Sequence, residues 1–291
     1  MTPSPAEDEK LAKPVKVRSF RPDVATIMGL VVGLGGITAG LLLEGGKVSD
    51  VNQITAAIIV LGGTFGAVMV TCSLSALGGA LRGLKDVFFE QVVHPEVAVE
   101  EIIKYASKAR KQSIMSLEPD LDGVEDPFLK KALSLAVDGT DLKELRHMME
   151  LELFQSERRA EMDAKVFEVA GGYSPTIGII GAVIGLIQVM KHLENIDEVG
   201  RGIAVAFVAT VYGVGVANLF FLPAANKLKS RIHQDILVKE LLLEGVCGIV
   251  EGMNPRLIRV KLEAFLKSPG GKKQMQGAAT EGSPQTAQAG G

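Results

Sequence analysis

Tryptophan is absent from this chain of 291 residues, and aromatic side chains make up only 5% of it. Formal net charge is −3, and no basic stripe is interleaved with the few rings. The sequence therefore lacks both the electrostatic footprint and the stacking platforms of a nucleic-acid binder. Cysteine is limited to Cys72 and Cys247, too few and too far apart for a disulfide framework or a thiolate metal site. Each reads as a small buried apolar residue. His94, His147, His192 and His233 are scattered, and none belongs to a metal-ligand spacing. No GxSxG, HExxH or Walker A pattern occurs, so neither bond-making chemistry nor a cofactor is expected.

The most informative absence is charge. Asp, Glu, Lys and Arg are all missing from Val24–Leu43, Ile54–Leu81, Val169–Met190 and Gly202–Asn226. A helix needs about 20 apolar residues to cross roughly 30 Å of hydrocarbon, and each run is long enough. Lys10, Lys13, Lys16, Arg18 and Arg21 precede the first run, as in a secretory signal. That run is too long for a signal core and no clean small-x-small cleavage site follows it, so it reads as a retained span.

Basic residues set the orientation. The link between spans 1 and 2 carries only Lys47, and in the link between spans 3 and 4 Lys191 and Arg201 are outnumbered by Glu194, Asp197 and Glu198. By contrast, Arg82, Lys85, Arg158, Arg159, Lys165, Lys227, Lys229 and Arg231 crowd the other flanks. The positive-inside rule puts both termini and the long middle segment in the cytoplasm. The sequence thus describes an all-α, polytopic membrane protein with four transmembrane helices and a large helical cytoplasmic region between spans 2 and 3. Its segments are a polar N-terminal stretch (1–23), spans 1 and 2 (24–81), a cytoplasmic helical loop (82–168), spans 3 and 4 (169–226), C-terminal helices (227–267) and a disordered tail (268–291).

Outside the membrane, helix signals dominate and no strand pattern stands out. Pro95–Gln112 places Val99, Ile102, Ile103 and Ala106 at helical spacing. Asp141 followed by Glu144 resembles a capping box, opening a helix that runs into span 3. Leu142, Leu145, Met149, Phe154, Met162 and Phe167 form its expected apolar face. Lys227–Gly252 is amphipathic, and Asn254-Pro255 breaks it before a shorter helix to Lys267.

Small residues mark the spans. Gly29-x-x-x-Gly33, Gly36-x-x-x-Gly40, Gly62-x-x-x-Gly66 and Gly181-x-x-x-Gly185 let backbones approach closely in lipid. Two readings stay open: packing within the chain, or faces that receive another subunit or a partner's helix. Pro175 and Pro223 stand at similar depth near the cytoplasmic face, each freeing a helix carbonyl and permitting a kink. Thr210, near the middle of span 4, either bonds a preceding carbonyl or lines a polar path. Ion pathways usually carry ionisable residues in their spans, and these spans have none. Either the protein moves no ions, or another chain supplies the titratable group.

Ser107-Lys-Ala-Arg110, Ser116-Leu-Glu118, Ser174-Pro-Thr-Ile-Gly-Ile-Ile-Gly-Ala-Val-Ile-Gly-Leu-Ile187, Val208-Ala-Thr-Val-Tyr-Gly213 and Asn218-Leu-Phe-Phe-Leu-Pro-Ala-Ala-Asn-Lys227 resemble the MotA branch of the MotA/TolQ/ExbB family. The resemblance spans roughly residues 24–267. Four spans fit this branch better than the TolQ and ExbB relatives, which have three. It implies an inner-membrane stator subunit of the bacterial flagellar motor, five copies around two single spans of a MotB-like, peptidoglycan-binding partner whose aspartate binds the ion. It implies that Pro175 and Pro223 couple ion passage to conformational change, and that Thr210 lines the ion path. Ala182 stands where sodium-driven members carry threonine, implying protons. Arg110 and Glu118 fall on the charges that contact the rotor's switch-complex protein. Pro119 directly after Glu118 and the long polar N-terminus depart from the pattern. An energiser of outer-membrane or envelope processes within the same family, or a helical scaffold that moves no ions, are the alternatives.

Overall fold

The computed structural model of the chain describes residues 18–93 and 95–267. The segment before Arg18 and the tail after Lys267, with the expectations attached to them, lie outside the described residues. The chain folds into two compact units. One combines Ser19–Val92 with Gln155–Gln234, and the other combines Val93–Phe154 with the chain from Asp235 onward.

The first unit holds the membrane-length helices. Helix α1 is Val24–Leu43, which coincides with the first charge-free run, and Asp23 caps it by accepting the Thr26 N–H at 2.9 Å. None of its residues is buried. Helix α2, Ile54–Thr71, includes one π turn at Ile58–Gly62. Ala56, Val60, Thr64 and Val68 recur every four residues along it and form its buried stripe.

The second charge-free run is two helices rather than one. At Cys72 the backbone is extended, and Ser73 accepts the Ala76 N–H to cap a new helix, α3, Leu74–Phe88. Hydropathy sees no boundary there because both helices are apolar; the serine cap makes one. A strand pair also appears that periodicity did not suggest. β1, Arg18–Pro22, pairs with β2, Phe89–Val93, and five residues are too few for alternation to show. The Asp23 N–H closes the ribbon on the Phe88 carbonyl at 2.8 Å.

Helix α4 is Pro95–Gln112, α5 is Pro127–Val137, and α6 is the 50-residue helix Leu142–Lys191. Asp141 Oδ2 accepts the Lys143 N–H at 3.0 Å at the start of α6. Its expected apolar face holds at Leu145, Met149 and Phe167. It fails at Phe154 and Met162, which are 55% and 49% exposed, while Leu153 is buried instead. The final long helix, α7, is Ile196–Val250 and carries a π turn at Ala217–Phe221. Helices α6 and α7 supply residues to both units. Gly252, at φ +68°, ends α7, and Asn254 caps α8, Pro255–Lys267.

The core of the first unit gathers Val68, Ala80, Val87, Phe167, Ala170 and Leu228. Among the fully buried side chains, Ile102, Leu129, Leu145, Met149, Leu242 and Leu262 fill the second.

Candidate functional site

The inner seam of the first unit is built from glycine. A methyl built on Gly178 would lie 2.9 Å from the Ala209 carbonyl oxygen, and one on Gly213 only 2.6 Å from that of Ser174. One on Gly185 would lie 2.7 Å from the Ala206 nitrogen. Helices α6 and α7 therefore touch backbone to backbone along the charge-free runs. Such contact supplies the dispersion that replaces a hydrophobic drive in lipid. For Gly181-x-x-x-Gly185, packing within the chain is the reading that holds. The other motifs differ, since Gly29, Gly36, Gly40, Gly62 and Gly66 meet nothing within 4 Å.

Pro175 interrupts α6 beside this seam. It lacks the N–H that would bond the Gly171 carbonyl, and Gly171 itself packs against Leu222. Pro223 follows that contact on the antiparallel helix, so it stands somewhat more than one helical turn, roughly 7–8 Å, from Pro175 along the pair. Directly before Pro223 the helix widens into the π turn Ala217–Phe221. An inserted residue is a common answer to a ring that cannot accommodate the preceding carbonyl. Thus α7 departs from regular α-helix near its proline, whereas α6 runs through Pro175 as continuous helix. Beneath Pro223 a cavity of about 310 Å³ is walled by Leu30, Phe88, Leu219 and Phe220.

Ala182 and Thr210 each follow a member of the Gly181–Ala209 contact, where a built methyl would sit 2.7 Å from Ala209 Cβ. The fold therefore brings these two sequence-distant positions level. Thr210 Oγ1 donates to the Ala206 carbonyl at 3.2 Å, the intrahelical bond that a buried hydroxyl defaults to. Tyr212, assigned no role from sequence, donates from its hydroxyl to the Val51 carbonyl at 2.5 Å and pins α7 to the link after α1. Ser174, fully buried next to Pro175, has no partner for its Oγ among the described residues, and neither has Thr64 for its Oγ1. Neither signal was visible in the sequence, because a hydroxyl in a span normally satisfies itself.

At one end of the seam lies an ionic knot that sequence reasoning missed. Asp23, 6% exposed, pairs with Lys227 and with Arg231 Nη2 at 2.7 Å. Arg231 also donates to the Phe89 carbonyl at 2.6 Å. Burial by itself would raise the Asp23 carboxyl. The Lys227 ammonium and the Thr26 N–H outweigh it and hold the group at about 2.

Arg110 and Glu118 lie in the second unit and do not share a helix. Helix α4 stops at Gln112, Ser113 turns the chain at φ +78°, and Glu118 and Pro119 sit in a 3₁₀ segment, Ile114–Gly123. A Lys108–Asp120 bond at 2.7 Å ties that segment back to α4. The continuous-helix geometry that would put Arg110 and Glu118 on one face is therefore replaced by a turn. Both side chains are exposed, and neither makes an ion pair among the described residues. Deeper in the unit, Glu244 is buried between Arg146, at 3.1 Å, and Lys261. Burial raises its carboxyl, but the two cations hold it below the ordinary value.

Four helices long and apolar enough to cross a membrane, a glycine seam, two prolines and no ionisable residue in the apolar runs define a class. They describe a polytopic helical membrane protein with a closely packed inner pair of helices. The MotA/TolQ/ExbB proton channel family matches residues 120–240. Motility protein A of Bacillus subtilis is 34% identical over 84% of this chain and 91% of its own length. The structure of Campylobacter jejuni MotAB superposes with a TM-score of 0.80 at 33% identity, covering 85% of this chain and 97% of that one. The flagellar MotAB stator complex of B. subtilis gives 0.77 at 32% identity, covering 88% and 100%. This chain belongs to the MotA/TolQ/ExbB proton channel family, which is a family of channel components and not of enzymes.

Proposed function

We propose that the chain is the A-subunit of a flagellar stator, forming with a MotB-like subunit a proton channel whose flow generates torque on the rotor. The observation that carries this reading is the glycine-packed pair α6 and α7, whose facing runs Val169–Met190 and Gly202–Asn226 hold no acid or base, with a proline on each, Pro175 and Pro223. Runs without an acidic or basic residue cannot relay protons alone. A partner span bearing an aspartate, in a subunit that binds peptidoglycan, completes it. Several copies of this chain, five by family resemblance, surround two such spans in the inner membrane. Both termini and the second unit are cytoplasmic, following the distribution of Lys and Arg.

Each site residue takes a role in that assembly. Pro175 and Pro223 are the flexing points through which ion passage becomes motion, and Thr210 borders the path. Ala182 offers no hydroxyl to replace a water from a sodium shell, which favours protons. Arg110 and Glu118 meet the rotor's switch protein through complementary charge, which governs encounter and register more than affinity.

The test is deletion and complementation in the parent organism. Loss of swimming with intact flagella, restored by the chain only when the MotB-like subunit is present, is expected. Normal swimming after deletion overturns the proposal. Envelope defects without a motility defect would assign the chain to the TolQ/ExbB type of energiser instead.

A further inference from the structure

Three helices of the second unit end around one hollow. Helix α4 gives way to Ser113, α5 to Gly139 and α7 to Gly252, and these three residues have φ of +78°, +76° and +68°. A positive φ stops each helix abruptly, and for Ser113, which has a Cβ and a ψ of 157°, it costs on the order of 1–3 kcal/mol. Between the three ends lies a cavity of about 340 Å³, lined by Ala106, Arg110, Ile114, Thr140, Ile249 and Met253. That is the share of about eleven waters at roughly 30 Å³ each, enough for one or two side chains. Aliphatic side chains supply most of its lining residues, and polar groups, including Thr140, share the wall with them. Its rim carries the Arg110 guanidinium, whose neighbour Lys108 already has Asp120.

We propose that this cavity is the socket into which a helix of the rotor protein inserts an aliphatic side chain, with an acidic residue one turn along that helix pairing with Arg110. The proposal rests on the rotor-contact reading of Arg110 and extends it from a charge to a shaped site. Charge complementarity selects the occupant. An exposed cation that makes no ion pair among the described residues, beside a hollow lined largely by aliphatic side chains, fits an anchor and a carboxylate at helical spacing, and would repel a basic segment. Anchors seated in pockets and ringed by polar contacts carry most of the energy at such interfaces. Thr140, Ile114 and Met253 thereby become contact residues alongside Arg110.

Filling the cavity tests this. Thr140→Trp, Thr140→Ser and Arg110→Glu are introduced into the full chain, expressed with its partner subunit and carrying a fluorescent label. Recruitment of stators to flagellar bases, swimming, membrane level and proton conduction are measured. T140W should reduce recruitment at least tenfold with membrane level and proton conduction unchanged, while T140S behaves as the parent. Should T140W fail to reach the membrane, Ile114→Trp fills the same cavity from another wall and is read in its place. Normal recruitment of a filling variant while R110E is impaired overturns the socket and leaves the charge contact standing. Normal recruitment of R110E overturns the rotor-contact reading itself. If removing residues 268–291 restores recruitment to the filled variant, the chain's own tail occupies the cavity and the proposal falls.

Discussion

Adding one methyl group to the α6–α7 seam should separate two helices, and the size of the effect can be worked out from the contacts. The perturbation is Gly213→Ala. Its new carbon would stand 2.6 Å from the Ser174 carbonyl oxygen and 2.9 Å from the Gly178 Cα. Carbon–oxygen contacts relax at about 3.3–3.6 Å, so the backbones must part by roughly 0.7–1 Å at this level. Neither neighbour can give way, since both are main chain rather than the end of a flexible side chain. Overpacking of this kind costs about 1–3 kcal/mol. Replacing glycine by alanine in a helix returns at most about 1 kcal/mol, leaving a net loss of about 1–2 kcal/mol. Gly215 supplies the control. It lies two residues along the same helix, and a methyl there meets nothing within 4 Å. Gly215→Ala should be neutral or slightly stabilising. The assay is reversible denaturation of the purified protein in detergent, followed by loss of helix signal. A difference of about 2 kcal/mol between the two variants is nearly thirtyfold in the unfolding equilibrium. Equal stability of G213A and G215A would refute the close-packed seam and the inference that these glycines serve packing within the chain.

Other perturbations read different parts of the molecule. Pro223→Ala restores a donor and allows the π turn Ala217–Phe221 to relax into α-helix; membrane insertion should persist while torque on a tethered cell falls severely, and loss of the protein from the membrane would point to a folding role instead. The Asp23 carboxyl is held at about 2, below its ordinary value of 3.8, so its contribution is complete above about pH 4 and is lost as pH falls through the window from 4 to 2. Asp23→Asn should lower stability at neutral pH by about 2 kcal/mol and flatten the acid limb of the pH–stability curve; an unchanged acid limb would show that the carboxylate is not paired. Swimming should survive sodium depletion and stop with a protonophore, whereas dependence on external sodium would make Ala182 a poor indicator of ion choice. A reporter fused after Asp126 should read cytoplasm and one after Asn195 periplasm, and the opposite result at either site would overturn the charge-based orientation.

The sequence reveals helices where a physical discontinuity coincides with a boundary. Asp23 supplies both the last charge and the cap of α1, so the bounds Val24–Leu43 follow from composition alone. Asp141 opens α6 and Asn254-Pro255 opens α8 for the same reason: each offers a side-chain acceptor where a helix has unsatisfied N–H groups. The break at Cys72–Ser73 escapes that logic because apolar sequence continues on both sides of the serine. Contacts between distant residues escape it altogether. Nothing local in Asp23 announces Lys227 and Arg231, some two hundred positions away, or in Tyr212 the Val51 carbonyl. The site was legible as a set of residue types, namely two prolines, a mid-span threonine and an alanine. Their arrangement was not, because the glycines that bring Ala182 and Thr210 level have the same spacing as glycines that touch nothing.

The seam also limits where an ion can pass. Backbones that leave no room for a methyl between Gly178 and Ala209, Gly213 and Ser174, or Gly185 and Ala206 leave none for a hydrated ion. A path between α6 and α7 of one chain is therefore closed by packing. Thr210 and Ala182 stand beside that seam and each remains partly accessible, so a path bordered by them must have its other wall on a second chain. The absence of any acid or base in the charge-free runs leads to the same place, since a low-dielectric route without a titratable group holds no proton. Sterics and electrostatics thus demand the same missing component. In the proposed assembly the prolines fit this arrangement, because charge-free runs would have to respond to a charge neutralised on a neighbour. A tightly packed helix pair with a proline on each helix could do so without losing the contacts that hold it together.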